Sequence, residues 1–405
     1  MLQKLIHRLL QRRHFWRYAT FSEVAELYAS RTMRMFALRI VQTFTSVYLL
    51  QEGFSLLFIA LFWAAFYLLK VLFSWPAARL IARVGPKHVT LISNLVSAAA
   101  MVFLPFAPEY GLLALIPWNM LQAFSGCSND LAYLVDFSKV KNSEHAGKEI
   151  GYMNIFEKIA TGISPLIGGG LALLFGPEAL MILSAVLFLL SAVPLLLTAE
   201  PVRIRQKLQV RGFPWRTTWR SMVAESAIGF DVFATASTWS LFMAVVIFSN
   251  SHDEIYLQIG AISSVSLVAA LASSYAFGRL IDHRRGKELL RLGVILNSTL
   301  HFIRPFITTP VSVVMMNSAN EAATTAYSMA FMRGLFDTAD QSGHRIVYLA
   351  FIEMVVNFGA GLAACTLALI VMIVTDSQTS FSVFFMVAAI VTLLIMTPRF
   401  MLYRR

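Results

Sequence analysis

The sequence is a succession of apolar stretches, each about 20 residues long and nearly free of charge, separated by short polar turns. That recurrence constrains the fold more than any other feature. A run of about 20 apolar residues wound as helix crosses the roughly 30 Å of hydrocarbon in a bilayer. Inside lipid, only helices and closed barrels satisfy the backbone. A barrel reads as alternating segments of about ten residues, whereas these runs are continuous. The chain therefore reads as an all-α polytopic membrane protein. Composition agrees: 58% of the 405 residues are hydrophobic and 14% charged, against about a quarter charged in soluble chains.

About twelve transmembrane helices can be placed, at 24–50, 54–77, 88–107, 111–135, 152–175, 179–198, 222–248, 255–277, 288–306, 311–332, 346–374 and 381–398. They fall six and six, as an N-terminal bundle over 21–199 and a C-terminal bundle over 222–398. A linker at 200–221, rich in Arg and Lys and broken by Gly212 and Pro214, joins them. Residues 1–20 carry Leu2, Leu5, Ile6, Leu9 and Leu10 at helical spacing among Lys4, Arg8, Arg12, Arg13 and Arg17. They lack the pattern of a signal peptide and read as a basic amphipathic helix on an anionic leaflet, or as a basic tail. Residues 399–405 form a second basic tail.

The net charge of +11 follows the loops. Alternate loops, such as Gln51–Gly53, Pro108–Tyr110 and Gly176–Glu178, hold acids but no Lys or Arg, while the intervening loops hold nearly all the basic residues. Basic loops stay in the cytoplasm, so both termini are expected there, with the chain multi-pass in a plasma membrane (the inner membrane, if bacterial). The basic excess is then a topology signal with attraction for membrane lipids, and no nucleic-acid partner is implied. Cys127 and Cys365 both lie in apolar runs, which argues against a metal site or a disulfide framework. No Gly-x-x-x-x-Gly-Lys-Ser/Thr motif occurs, and no catalytic constellation or cofactor motif stands out. The chain is not read as an enzyme.

The two halves echo each other. Gly278 to Lys287 reads Gly-Arg-Leu-Ile-Asp-His-Arg-Arg-Gly-Lys, and Ala78 to Lys87 reads Ala-Arg-Leu-Ile-Ala-Arg-Val-Gly-Pro-Lys. At a second place, Gly147, Ile150, Tyr152 and Glu157 recur at one constant offset as Gly343, Ile346, Tyr348 and Glu353. Internal repeats with binding between them are the architecture of secondary transporters.

These features together resemble the major facilitator superfamily, whose loop signature between helices two and three is Gly-x-Leu-x-Asp-Arg-x-Gly-Arg/Lys-Arg/Lys. The second-half loop is the better copy, with Gly278, Leu280, Asp282, Gly286 and Lys287 matching around Arg285. The first-half loop keeps Arg83, Gly85 and Lys87 but has Ala82 for the acid. The resemblance implies that these loops gate the transporter, with the acid-bearing latch in the second half. In span five, Gly151, Pro165, Gly168 and Gly169 resemble the motif of drug–proton antiporters, which implies efflux. Physically, small residues there permit tight packing and Pro165 a bend. The arginine of the antiporters' span-four motif is replaced by Asn119, three residues before Gln122.

Ionisable groups inside apolar spans are costly and mark cavities, pairs or function. In the superfamily, helices one, four, seven and ten line the cavity. Those spans hold the polar residues here: Arg39 and Gln42; Asn119, Gln122, Asn129 and Asp130; Asp231 and Trp239; Asn317, Asn320 and Glu321. Glu321 lies deepest of the acids and is read as a coupling carboxylate, with Asp231 and Asp130 as rivals. Asp130 has the alternative of an ion pair with Lys70 or an arginine of span one. Arg39 is read as a binder of an anionic substrate or a partner of one of these acids. The expectation is a monomeric secondary transporter of a small-molecule substrate working by rocker-switch alternating access, with protons as coupling ion. Export is the first reading. Uptake of an anionic or polar metabolite, and a transporter-like scaffold, lipid mover or sensor, are the alternatives.

Overall fold

The computed structural model describes residues 21–140, 146–196, 207–248, 254–282 and 285–403. Among these the chain is helical, with no strand. The first half contains α1 (Phe21–Gln51), α2 (Leu56–Val84), α3 (Pro86–Met101), α4 (Leu112–Val140), α5 (Ala146–Phe175) and α6 (Pro177–Ala192). The second half contains α7 (Trp215–Ile247), α8 (Ile255–Val265 and Leu267–Asp282), α9 (Gly286–Ile303), α10 (Pro310–Gln341), α11 (Arg345–Ile373) and α12 (Ser377–Thr392). The helix read over 1–20, part of the linker and the middle of the loop before α5 lie outside the described residues.

The protein is a multi-pass membrane protein. Eight of these helices are long and apolar enough to cross a bilayer by length and composition alone. The other four are α1, α4, α9 and α10, whose polar residues build the networks described below. Outward faces are apolar, with Leu72, Leu113, Val268 and Ile373 largely exposed. Lipid is the medium that tolerates such a surface.

Helix starts are fixed by side chains: Ser55 accepts from the backbone of Phe58, Thr309 and Ser312 form a reciprocal capping box, and Asp376 accepts from Thr379. Each satisfies a backbone N–H that the helix leaves unpaired. Gly85 ends α2 and starts α3 with a φ of 95°, a conformation that costs other residues strain. At the end of the bundle that carries the basic loops, helices overrun the apolar runs. α2 continues to Val84, α4 to Val140 and α10 to Gln341, and α7 starts at Trp215 within the segment read as linker. Apolar counting stops where charges begin, but a helix supplies its own backbone hydrogen bonds on either side of that boundary.

Two long interfaces join the halves, α2 against α11 and α5 against α8. At the second the backbones nearly touch. A Cβ added at Gly169 would sit 2.4 Å from the carbonyl oxygen of Tyr256, and one at Gly260 would sit 2.3 Å from that of Pro165. Pro165, Gly168 and Gly169 therefore act in packing: Gly168 lies against Ile40 and Phe44 of α1, while Gly151 faces Ser274 and Gly278 of α8. The halves also meet at both ends, through the rings of Phe44 and Tyr256 (5.4 Å between centroids) and of Phe137 and Phe336 (5.3 Å).

Candidate functional site

Within the first half, Arg34 of α1 is buried under neutral acceptors. It donates to Asn94 Oδ1 of α3 at 2.7 Å and Ser125 Oγ of α4 at 3.1 Å, and lies over the ring of Phe188. No acid pairs with it directly among the described residues.

The second half buries the opposite charge at the matching place. Asp231 of α7 accepts from Asn297 Nδ2 of α9 at 2.8 Å, from His301 Nε2 at 2.5 Å and from the hydroxyl of Tyr327 of α10. Arg304, at the end of α9, donates to His301 Nδ1 at 2.9 Å, to Asn320 Oδ1 at 3.0 Å and to the carbonyl of Ala234. Arginine can only donate, so His301 accepts at Nδ1 and its proton sits on Nε2, facing Asp231. Ala234 opens a π-turn in α7, where such turns loosen the helical carbonyl ladder. Asp231 and Arg304 thus balance each other through one imidazole.

A third set of charges crosses helices and halves. Arg31 of α1 bonds Glu157 Oε1 of α5 at 2.8 Å, Asn129 Oδ1 at 2.8 Å and Asp130 Oδ1 at 3.2 Å. Asp130 also meets Lys70 of α2 at 3.4 Å, and Lys70 reaches Glu353 of α11 in the other half at 3.6 Å. Separately, Lys158 of α5 meets Glu321 of α10 at 2.5 Å. Asp130 therefore has both of the partners weighed from sequence, and Glu157, Lys158 and Glu353 all sit in contacts between helices.

The remaining residues divide. Trp239 donates from Nε1 to Asn317 Oδ1 at 2.8 Å, and Asn119 Nδ2 donates to the carbonyl of Phe62. Asn119 Oδ1 and Gln122 Oε1 are buried without a hydrogen-bond partner. Gln42 is half-buried. Arg39 is half-buried near mid-helix in α1, and its buried Nε has no partner. Among the described residues, no acid forms an ion pair with Arg39, although it acts electrostatically on Tyr67, as Lys70 does.

In the first loop of the basic end, Lys87 is buried and meets Glu26 of α1 at 3.1 Å, with Arg83 exposed. In the second, Arg285 and Lys287 are exposed. A Cβ at Gly286 would strike the ring of Tyr403, and Gly278 packs beside Gly151. The Asp282 side chain is outside the described residues.

His301 and Arg304 are buried members of the Asp231 network that the sequence reading did not single out. Their signal is spacing: Asn297, His301 and Arg304 fall at i, i+4 and i+7, which places them on one face of α9.

The sequence model of the Major Facilitator Superfamily matches residues 27–332. The crystal structure of the human organic anion transporter MFSD10 (TETRAN) is similar at a TM-score of 0.65 and 12% identity, covering 92% of this chain and 98% of that one. FucP, a Major Facilitator Superfamily transporter in the outward conformation, is similar at 0.65 and 14% identity, covering 91% and 98%. No curated protein matches the sequence.

Proposed function

Because the chain belongs to the major facilitator superfamily and is a secondary transporter rather than an enzyme, we propose that it carries a small organic anion, moved inward together with a proton, by rocking its two halves about a central site. The observation that supports this reading is Arg39. Its neighbours Arg31 and Arg34 bond acids, amides and hydroxyls, yet the Nε of Arg39 is buried without a partner. A guanidinium in mid-membrane is costly unless something compensates it, and its planar fork suits a carboxylate, sulfate or phosphate. The likeness to an organic anion transporter runs the same way, though at 12% identity it speaks for the fold alone.

The proton follows from the charge on the cargo. Bringing an anion into a negative interior costs about 2.3 kcal/mol per 100 mV, and a proton travelling with it cancels that term. The basic end is taken to face the cytoplasm. Lys158–Glu321 and Lys70–Glu353 would hold the halves together and part on opening. The α5 motif that suggests efflux serves packing against α8 and α1 in this arrangement, which leaves the direction to the charge argument.

The test is thermal unfolding of purified protein with benzoate, citrate, sulfate or inorganic phosphate. An anion at a hundred times its Kd stabilises the folded state by about 2.7 kcal/mol. At least one of these should raise the melting temperature of wild type and not of Arg39→Gln. Equal shifts in both proteins would remove Arg39 from the site. The stabilising anion should then accumulate in proteoliposomes when the outside is acidified; accumulation driven by acidifying the inside would reverse the direction proposed.

A further inference from the structure

We propose that Glu225 of α7 is the proton-carrying acid of this transporter, bound opposite Glu353 at the crossing of α7 and α11. This rests on the reading of proton-coupled transport given above. The acids singled out from sequence have other work: Asp231 lies under three donors, Glu321 on Lys158, and Asp130 between Arg31 and Lys70. Glu225 is different. Its Oε2 is buried without a hydrogen-bond partner, and no cation pairs with it among the described residues. An isolated carboxylate cut off from water is stable as the neutral acid.

The surroundings of Glu225 are defined. The charged group that acts on it is Glu353 of α11, another acid. Tyr348 of α11 and Tyr327 of α10 feel its charge, but both hydroxyl protons are committed. Ser221 Oγ donates to the carbonyl of Thr218, so Tyr348 must donate to Ser221, while Tyr327 donates to Asp231. α12, which also packs on α7, contains no titratable residue. Two carboxyl groups on packed helices therefore act on each other, and the buried Oε2 of Glu225 has no donor.

Backbone contact holds them there. A Cβ at Gly229 would sit 1.8 Å from the carbonyl oxygen of Val356, and one at Gly359 would sit 1.8 Å from that of Ser226. Glu225 lies one helical turn before Gly229, and Glu353 one turn before Asn357, whose Nδ2 it accepts at 2.6 Å. The acid pair thus moves as one body with the second half, while the cation on Glu353, Lys70, belongs to the first half. With Lys70 in place, Glu353 is compensated and the proton resides on Glu225. Withdrawal of Lys70 alone leaves Glu353 uncompensated and strengthens the hold on the proton, so release waits until water reaches the crossing, when the O–H bond of Glu225 breaks and its proton passes to water.

The experiment is infrared difference spectroscopy of ligand-free, full-length protein in lipid nanodiscs, recording the carboxylic-acid C=O band as pH is stepped upward. Wild type should lose one such band. Glu225→Gln should lack it, Glu225→Asp should restore it at a shifted position, and Glu321→Gln should keep it. A band unchanged in Glu225→Gln, or lost equally in Glu321→Gln, overturns the assignment. In parallel, spin labels on the basic-end tips of α2 and α11 should show a pH-dependent distance in wild type and a fixed one in Glu225→Gln; a distance that still follows pH in that variant also overturns it. The band reads proton binding without transport. Its presence in a protein that shows no gradient-driven flux would therefore sustain this site and sink the reading of proton-coupled carriage.

Discussion

The two halves of the molecule bury opposite charges at matching places. In the first, Arg34 is met by an asparagine of α3 and a serine of α4; in the second, Asp231 is met by an asparagine of α9 and a tyrosine of α10. Each network closes within its own half. The pairs Lys70–Glu353 and Lys158–Glu321, by contrast, join one half to the other, the first buried and the second partly open to solvent. The difference teaches which charges hold a bundle together and which hold one conformation: a transporter that rocks can part only contacts that cross its halves.

The sharpest way to break this comparison is to remove the buried acid. Asp231→Ala leaves Arg304 as an uncompensated buried cation and should cost about 3–5 kcal/mol, seen as a large fall in melting temperature or loss of folded protein. Arg34→Met should cost about 1–3 kcal/mol, because the groups it leaves are neutral and Ser97 and Ser125 already bond each other at 2.5 Å. If Arg34→Met proves as damaging as Asp231→Ala, the two clusters are not distinguished by charge.

Glycines give a second contrast of smaller size. Gly359→Ala forces a Cβ into the carbonyl of Ser226 within one half and should lower stability by about 1–3 kcal/mol. Gly169→Ala crowds Tyr256 across the halves. It should leave the melting temperature near wild type while lengthening distances between spin labels on α5 and α8. A variant that melts early yet keeps those distances would place this contact with the fixed set.

The smallest effect concerns pH. Glu52, in the turn after α1, is held above the usual carboxylate range, first by partial burial and then by Glu178. The folded protein therefore holds that proton more tightly than the unfolded chain, and stability falls as pH rises from the ordinary carboxylate range through the folded value. Both acids lie in the first half, so Glu52→Gln should flatten the dependence of melting temperature on pH and leave the halves equally closed. The change will be slight, because the side chain is largely exposed.

The spans were legible in the sequence because apolar length is a local property, and the concentration of polar residues on α1, α4, α7 and α10 was legible for the same reason. Asp130 was readable as a group answerable to Lys70 or an arginine of α1, since few cations lie within the apolar spans of that half. The partners that cross halves were not. Nothing local to Lys70 names Glu353, nor does Lys158 name Glu321, because the packing of α2 on α11 and α10 against α5 joins residues far apart in the chain. The Asp231–His301–Arg304 relay was hidden differently. Its α9 members are three residues among other polar ones, and they share a face only when read at i, i+4 and i+7.

The claim that charges crossing the halves set the conformation is tested most directly by reversing one pair. Spin labels placed near Phe137 and Phe336, where α4 and α10 touch at the basic end, report closure as a distance. Lys158→Glu and Glu321→Lys should each populate longer distances, and the double exchange should restore the wild-type distribution, while melting temperatures stay nearly constant throughout. A double exchange that remains as open as either single change, or single changes that leave the distribution where it was, would contradict it.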